Sequence, residues 1–246
     1  MKYLLIITLL VASLCGGDFE KGFQAAQHGD YKTALKIWKP LAEEGYSGAQ
    51  YNLGLMYDKG MGVKQNYKEA AKWYKKAAIT GTPQAQYSLA SLYKNGEGVQ
   101  KNLKEAAKWY KKAAEQDHSD AQFMLGLMYT AGSGVKQNYK EAVKWYKKAA
   151  EQGHSNAQNF LASLYESGEG VQKNLKEAAK WYKKAAEQGH SEAQVNFGTM
   201  YYFGEGVAQD KIKAYQWWLK AAKQGNSKAQ KNLDILCSKS SWACTQ

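Results

Sequence analysis

Three of the four histidines stand 36 positions apart, at His118, His154 and His190, and a serine follows each of them. Imidazole and hydroxyl groups are the material of metal sites and of acyl-transfer centres. The spacing argues against both. Equivalent positions in successive repeats lie at least one helix-packing distance apart, about 8–10 Å, whereas the ligands of one zinc ion all sit about 2 Å from it. No Asp, Glu or Cys stands beside these histidines at ligand spacing, and no third group is placed to orient an imidazole against Ser119, Ser155 or Ser191. The serines read instead as helix starts. Ser119-x-x-Gln122 and Ser155-x-x-Gln158 fit a capping box, in which the serine hydroxyl satisfies a free first-turn amide. Catalytic, cofactor-binding and metal-binding residues are therefore all expected to be none.

The remaining chemistry is charge. The formal net charge is +12. Lys68, Lys72, Lys75 and Lys76 fall on one face of a helix, and the pattern returns as Lys104, Lys108, Lys111 and Lys112. It returns again as Lys140, Lys144, Lys147 and Lys148, and as Lys176, Lys180, Lys183 and Lys184. Sixteen lysines thus form stripes that would attract an anionic cell-envelope component, a polymer or lipid headgroups. A solvated lysine face with partners of the Glu69 type is the commoner outcome for such a pattern.

Those stripes need helices to carry them. Of the 246 residues 44% are hydrophobic and 23% charged, with 8 Trp and 18 Tyr, which is core-forming material and excludes a disordered chain. Only 2 Pro occur among runs of Ala, Lys, Glu and Leu, so the chain is expected to be all-α. Ala-Gln falls at Ala49, Ala85, Ala121, Ala157, Ala193 and Ala229 without slippage. A fixed period of this length signals stacked helix pairs. The first helix of each pair places Ala49, Leu53, Met56 and Tyr57, or their counterparts, on one face. In one copy Thr82-Pro83 opens it, with proline at the first helical position.

A glycine pair and a valine follow, as in Gly60-Met61-Gly62-Val63 and Gly96-Glu97-Gly98-Val99, five times in all. A phosphate-cradling loop would need a strand before it; here a helix precedes, so the glycines are read as helix stops at positive φ and the valine as a core plug. The second helix opens at Asn66, Asn102, Asn138, Asn174 or Asp210. It carries Trp-Tyr at Trp73-Tyr74 and its counterparts, changed to Trp217-Trp218 in the last copy.

Together, A-Q-x-x-L-G-x-M-Y-x-x-G-x-G-V, the Asn or Asp cap, W-Y-x-K-A-A and the closing glycine are similar to the Sel1-like repeat, a relative of the tetratricopeptide repeat. The resemblance implies a right-handed α/α solenoid of helix pairs, with repeats at 46–81, 82–117, 118–153, 154–189 and 190–225. Residues 18–45 read as a degenerate N-terminal pair, a cap with a short His28-Gly29-Asp30 turn, and 226–246 as a C-terminal capping helix. Copies at Ala49 and Ala121 share one wording and those at Ala85 and Ala157 another, and the string from Gly96 returns at Gly168 with Asp117 becoming Gly189. The copied unit is thus two repeats, which lengthens a surface without disturbing a central core.

Residues 1–17 read as a signal peptide: Lys2, an apolar run from Tyr3 to Leu14, then Gly16 and Gly17. The run is shorter than the roughly 20 residues a spanning helix needs. Cys15, after Val11-Ala12-Ser13-Leu14, resembles the lipidated cysteine of a bacterial lipoprotein, although Leu14 is larger than that pattern wants. Lipidation at Cys15, cleavage near Gly17 and an uncleaved buried helix stay open. An exported chain, periplasmic or secreted, is the expectation, and nucleic acid is not an expected partner. Cys237 and Cys244 then form the remaining pair and are expected to be disulfide-bonded across a turn at Ser238–Ser241.

In related superhelices the first helix lines a concave groove. The varying first-helix positions Tyr51, Asn52, Tyr87, Ser88, Phe123, Met124, Asn159, Phe160 and Asn196 are accordingly the candidates for contact with a protein or peptide ligand. The competing reading is that they pack between adjacent first helices. The expected function is a monomeric, non-catalytic exported binding scaffold. The alternative comes from a cysteine-rich branch of the family described as β-lactamase-like or penicillin-binding; that branch carries a cysteine pair in each repeat, and Ala-Gln occupies that location here.

Overall fold

The computed structural model describes residues 17–239. Among them it contains thirteen α-helices and no strand, as the composition requires. The expected signal sequence through residue 16, with Cys15, and the expected partner cysteine Cys244 lie outside the described residues.

Two compact units divide at His118 and Ser119. The first holds α1 (17–27), α2 (Tyr31–Glu43), α3 (Ser47–Lys59), α4 (Tyr67–Ile79), α5 (Pro83–Asn95) and α6 (Leu103–Glu115). The second holds α7 (Ser119–Ala131), α8 (Tyr139–Glu151), α9 (Ser155–Ser167), α10 (Leu175–Glu187), α11 (Ser191–Phe203), α12 (Lys211–Ala222) and α13 (Ser227–Lys239). Within each unit every helix from α2 onward packs on the next, so the core is a series of layers. One layer of the first unit joins Ala70, Tyr74, Ala77, Leu89 and Leu92; one of the second joins Tyr146, Leu161, Trp181, Tyr182 and Phe197.

The second helices begin as expected. The side chains of Asn66, Asn102, Asn138, Asn174 and Asp210 accept a hydrogen bond from the backbone N–H three residues on, and each asparagine cap is worth about 1 kcal/mol. The first helices begin otherwise. Ser155 and Ser191 are the first helical residues, and the caps are His154 and His190, whose Nδ1 atoms accept from the amides of Ala157 (3.2 Å) and Ala193 (3.1 Å). The helix opening at Ser119 has the same register. The capping-box reading of Ser-x-x-Gln is thus corrected: the serine lies one residue past the cap, and the glutamine turns inward.

The loop glycines do two jobs. Gly96 ends α5 in the left-handed region, φ 82°, its N–H bonded to the Leu92 carbonyl at 2.8 Å. Gly98 is needed for closeness as well as for its φ of 68°, since a Cβ there would lie 2.2 Å from the backbone of Tyr67. The loop therefore rests on the first turn of the preceding second helix, and Val99 packs against the core beside it. At the start of the chain Trp38 takes the place of the core tyrosine, donating from Nε1 to the Phe19 carbonyl at 3.2 Å.

Candidate binding surfaces

Two faces offer themselves, one on the first helices and one on the second. In the first unit Tyr51 is half-buried, its ring 5.8 Å from that of Tyr74 and its hydroxyl hydrogen-bonded with Ser88; burial raises its pKa. Tyr87 stacks on His118 at 4.9 Å and tilts against Tyr110 at 5.5 Å. Asn52 lines a cavity of about 210 Å³ with Phe23, Tyr31 and Leu55.

In the second unit Phe123 contacts the rings of Tyr146, His154 and Phe160 at 5.8, 4.7 and 5.6 Å. The Asn196 side chain donates to Asn159 Oδ1 at 3.3 Å, and Met124 is half-buried. Phe160 stands apart: it is 37% exposed, held edge-on by Phe123 and backed by Tyr146 at 5.5 Å. The other eight named residues are all intermediate in exposure.

Behind these rings sit the buried tyrosines. Tyr182 donates to Glu166 at 2.7 Å and Tyr74 to Asp58 at 3.3 Å. Burial raises the pKa of Tyr74, Tyr110 and Tyr182, and pushes that of Tyr146 up to about 12.

The glutamine of Ala-Gln was not legible as a structural tie. Gln158 Nε2 donates to the Ala150 carbonyl at the end of the preceding second helix (3.1 Å), and its Oε1 accepts from Gln188 Nε2 at the end of the following one (2.7 Å). One buried amide thereby joins three helices. Gln86 and Gln194 repeat the arrangement with Ala78 and Gln116, and with Ala186 and Gln224. The available signal was the recurrence of Gln116, Gln152, Gln188 and Gln224, each 30 residues after its partner.

On the second helices all sixteen stripe lysines are exposed. Lys72, Lys108, Lys144 and Lys180 pair with the glutamate three residues before, and Lys111, Lys147 and Lys183 with the glutamate four residues after. Lys76, Lys112, Lys148 and Lys184 lie over Trp73, Trp109, Trp145 and Trp181 at 4.1 to 5.1 Å. The tryptophans thus seat some of the charge, each contact contributing about 0.5–1 kcal/mol where exposed.

Histidine chemistry follows the same plan. His154 Nε2 lies 3.2 Å from Asp120 Oδ1, and His190 Nε2 lies 2.9 Å from Asn156 Oδ1. With Nδ1 accepting a backbone amide in each, Nε2 carries the proton, and both rings are structural links between successive first helices. Among the described residues no group of three or more His, Cys, Asp or Glu could hold a metal ion.

A family model described as Sel1 repeat matches residues 47–79, 83–118, 119–154, 155–190 and 191–226. A search of curated proteins found no match. Among solved structures, a protective antigen of uropathogenic Escherichia coli strains with an SLR fold is 39% identical, with a TM-score of 0.87 over 92% of this chain. The chain spans about half of that protein, 49% of its length. A Sel1 repeat protein from Oxalobacter formigenes is 36% identical, with a TM-score of 0.85 over 89% of this chain and 90% of its own.

Proposed function

This chain belongs to the Sel1 repeat family, in general non-catalytic scaffolds that bind proteins, and from that premise we propose that it is an exported binding scaffold without chemistry of its own. Its ligand is a protein or peptide taken on the first-helix face. The observation that carries this reading is Phe160, a large aromatic ring left 37% exposed while neighbouring rings fix its orientation. A rigid aromatic has little conformational entropy to lose on burial, and truncating such an anchor commonly costs about 2 kcal/mol or more of binding energy. Single exposed lysines contribute about 0–1 kcal/mol and are screened by salt.

The test begins with a partner captured from envelope extract by the mature chain. Phe160→Ala should weaken binding at least tenfold at 0.15 M salt, and the pair Lys144→Ala and Lys180→Ala less than threefold. The opposite ranking, with affinity falling steeply as salt rises, would transfer the function to the lysine face and an anionic envelope component. Turnover of a chromogenic β-lactam that disappears on replacing one side chain would make the protein an enzyme instead.

Export and the C-terminal clasp belong to the proposal. The mature N-terminus in cells should lie at or after Cys15, and an intact Met1 in the cytoplasm would overturn export. A non-reducing peptide map should recover Cys237 joined to Cys244; both recovered as free thiols from exported protein would remove the clasp.

A further inference from the structure

The first full repeat carries an exposed apolar residue where three of its copies carry an acid, and a groove lies beside it. The last residue of α4 is Ile79, 67% exposed, where α6, α8 and α10 end in Glu115, Glu151 and Glu187. In those copies the glutamate pairs with a lysine four residues before it. Lys75 has no such acid. A groove of about 430 Å³ runs between α4 and α5 at this place, within the size range of ligand sites. Its apolar floor is Ala71, Leu89, Tyr93 and Val99; Ile79 closes one end, and Lys68, Lys72, Lys75 and Lys76 stand along one side. Glu69 pairs with Lys72 at 3.6 Å, and Lys76 is seated on Trp73 at 4.1 Å, so Lys68 and Lys75 retain uncompensated charge.

We propose that this groove binds an acidic peptide segment carrying an apolar side chain, with carboxylates meeting the lysines and the apolar group packing on Ile79, Tyr93 and Val99. Two features favour a peptide. The cations span two turns of helix, about 12 Å from Lys68 to Lys76, which calls for several charges along a chain rather than one headgroup. The apolar surface left open beside the lysines belongs to Ile79, with Tyr93 and Val99 partly exposed, and it is small enough for a single side chain of a bound peptide to cover. The site is separate from the first-helix face of the second unit and stands independently of the function proposed for it.

The probe is a fluorescent seven-residue peptide with a central leucine flanked by three glutamates on each side, titrated at 0.15 M salt. Saturable binding is expected, weakened at least tenfold by Ile79→Glu, which writes in the residue the copies carry and gives Lys75 a partner. Folding of that variant is checked by circular dichroism; an exposed helical site that holds glutamate in three other copies tolerates the change. A peptide with glycine for leucine should bind at least fivefold more weakly. Equal affinity of that peptide, no effect of Ile79→Glu, or no binding at 1 mM would each overturn the site. Displacement by dodecanoate at equal concentration would also overturn it, making the occupant a fatty anion.

Discussion

The last residue of α4 and the one after it, Ile79-Thr80, occupy the place that Glu187-Gln188 occupies at the end of α10. The backbones coincide, with φ −77° and ψ −1° at Thr80 and φ −81° and ψ 2° at Gln188. The consequences differ on both sides of the helix. Outside, Glu187 pairs with Lys183 while Lys75 stays uncompensated. Inside, Gln188 completes the hydrogen bonding of Gln158, whereas Thr80 bonds its own helix at the Ala77 carbonyl and leaves Gln50 Oε1 buried without a partner. Two adjacent letters at the end of a second helix can therefore change surface charge and interior satisfaction at once. A buried unpaired carbonyl oxygen costs about 1–3 kcal/mol, so the first repeat is the weaker joint.

The comparison breaks most visibly at the intact tie. Gln158→Ala removes two hydrogen bonds, one buried and one part-buried, and leaves the Ala150 carbonyl with the Gly153 N–H alone; it should cost about 2 kcal/mol, read from urea denaturation. Gln50→Ala removes one bond together with the orphan oxygen and should cost about half as much. Equal losses would show that the orphan is not one in solution. Next in size, Thr80→Gln supplies the missing donor on a backbone already shaped for it and should stabilise the protein by about 1 kcal/mol. No gain in that variant would mean that water already satisfies Gln50.

The smallest effect concerns the caps. Burial holds the His190 imidazole below the ordinary histidine range, so the folded state resists its proton. The stabilisation is then complete above the ordinary value near 6.5 and is lost as pH falls through it toward the lowered folded one. Asn226 supplies the same cap to Ala229 at 3.1 Å and cannot titrate. His190→Asn should match the parent at pH 8 within about 0.5 kcal/mol and lose less stability between pH 7 and pH 5. Identical pH profiles would remove His190 from the acid response.

The sequence disclosed the helix pairs because Ala-Gln, the glycine pair, the Asn caps and Trp-Tyr recur in fixed register, and periodicity is read directly from spacing. Asn66 and Asn102 were legible as caps because their bonds stay within their own helix. The tie made by Gln158 and the link from His190 to Asn156 were not, because those partners lie on other helices, 8 to 34 residues away. A Ser-x-x-Gln string has the same spacing whether the glutamine folds back on its own turn or enters the core; only the neighbouring carbonyl decides. The candidate surface was legible as a row of varying side chains, but which of them keeps free area depends on contacts such as Phe123 with His154, which no single helix contains.

The ties that hold this protein are also short in sequence. The glutamine link closes 30 residues and the approach of Gly98 to Tyr67 closes 31. Loop-closure entropy rises with the logarithm of such distances, so each layer forms at a modest entropic cost that is the same wherever it occurs. Low contact order of this kind favours rapid folding, and a chain whose layers touch only their neighbours can nucleate at its best-tied repeat and grow outward. Pulled from its ends, it would give way layer by layer, and the α3–α4 joint, with its unmatched glutamine, is where the first step falls.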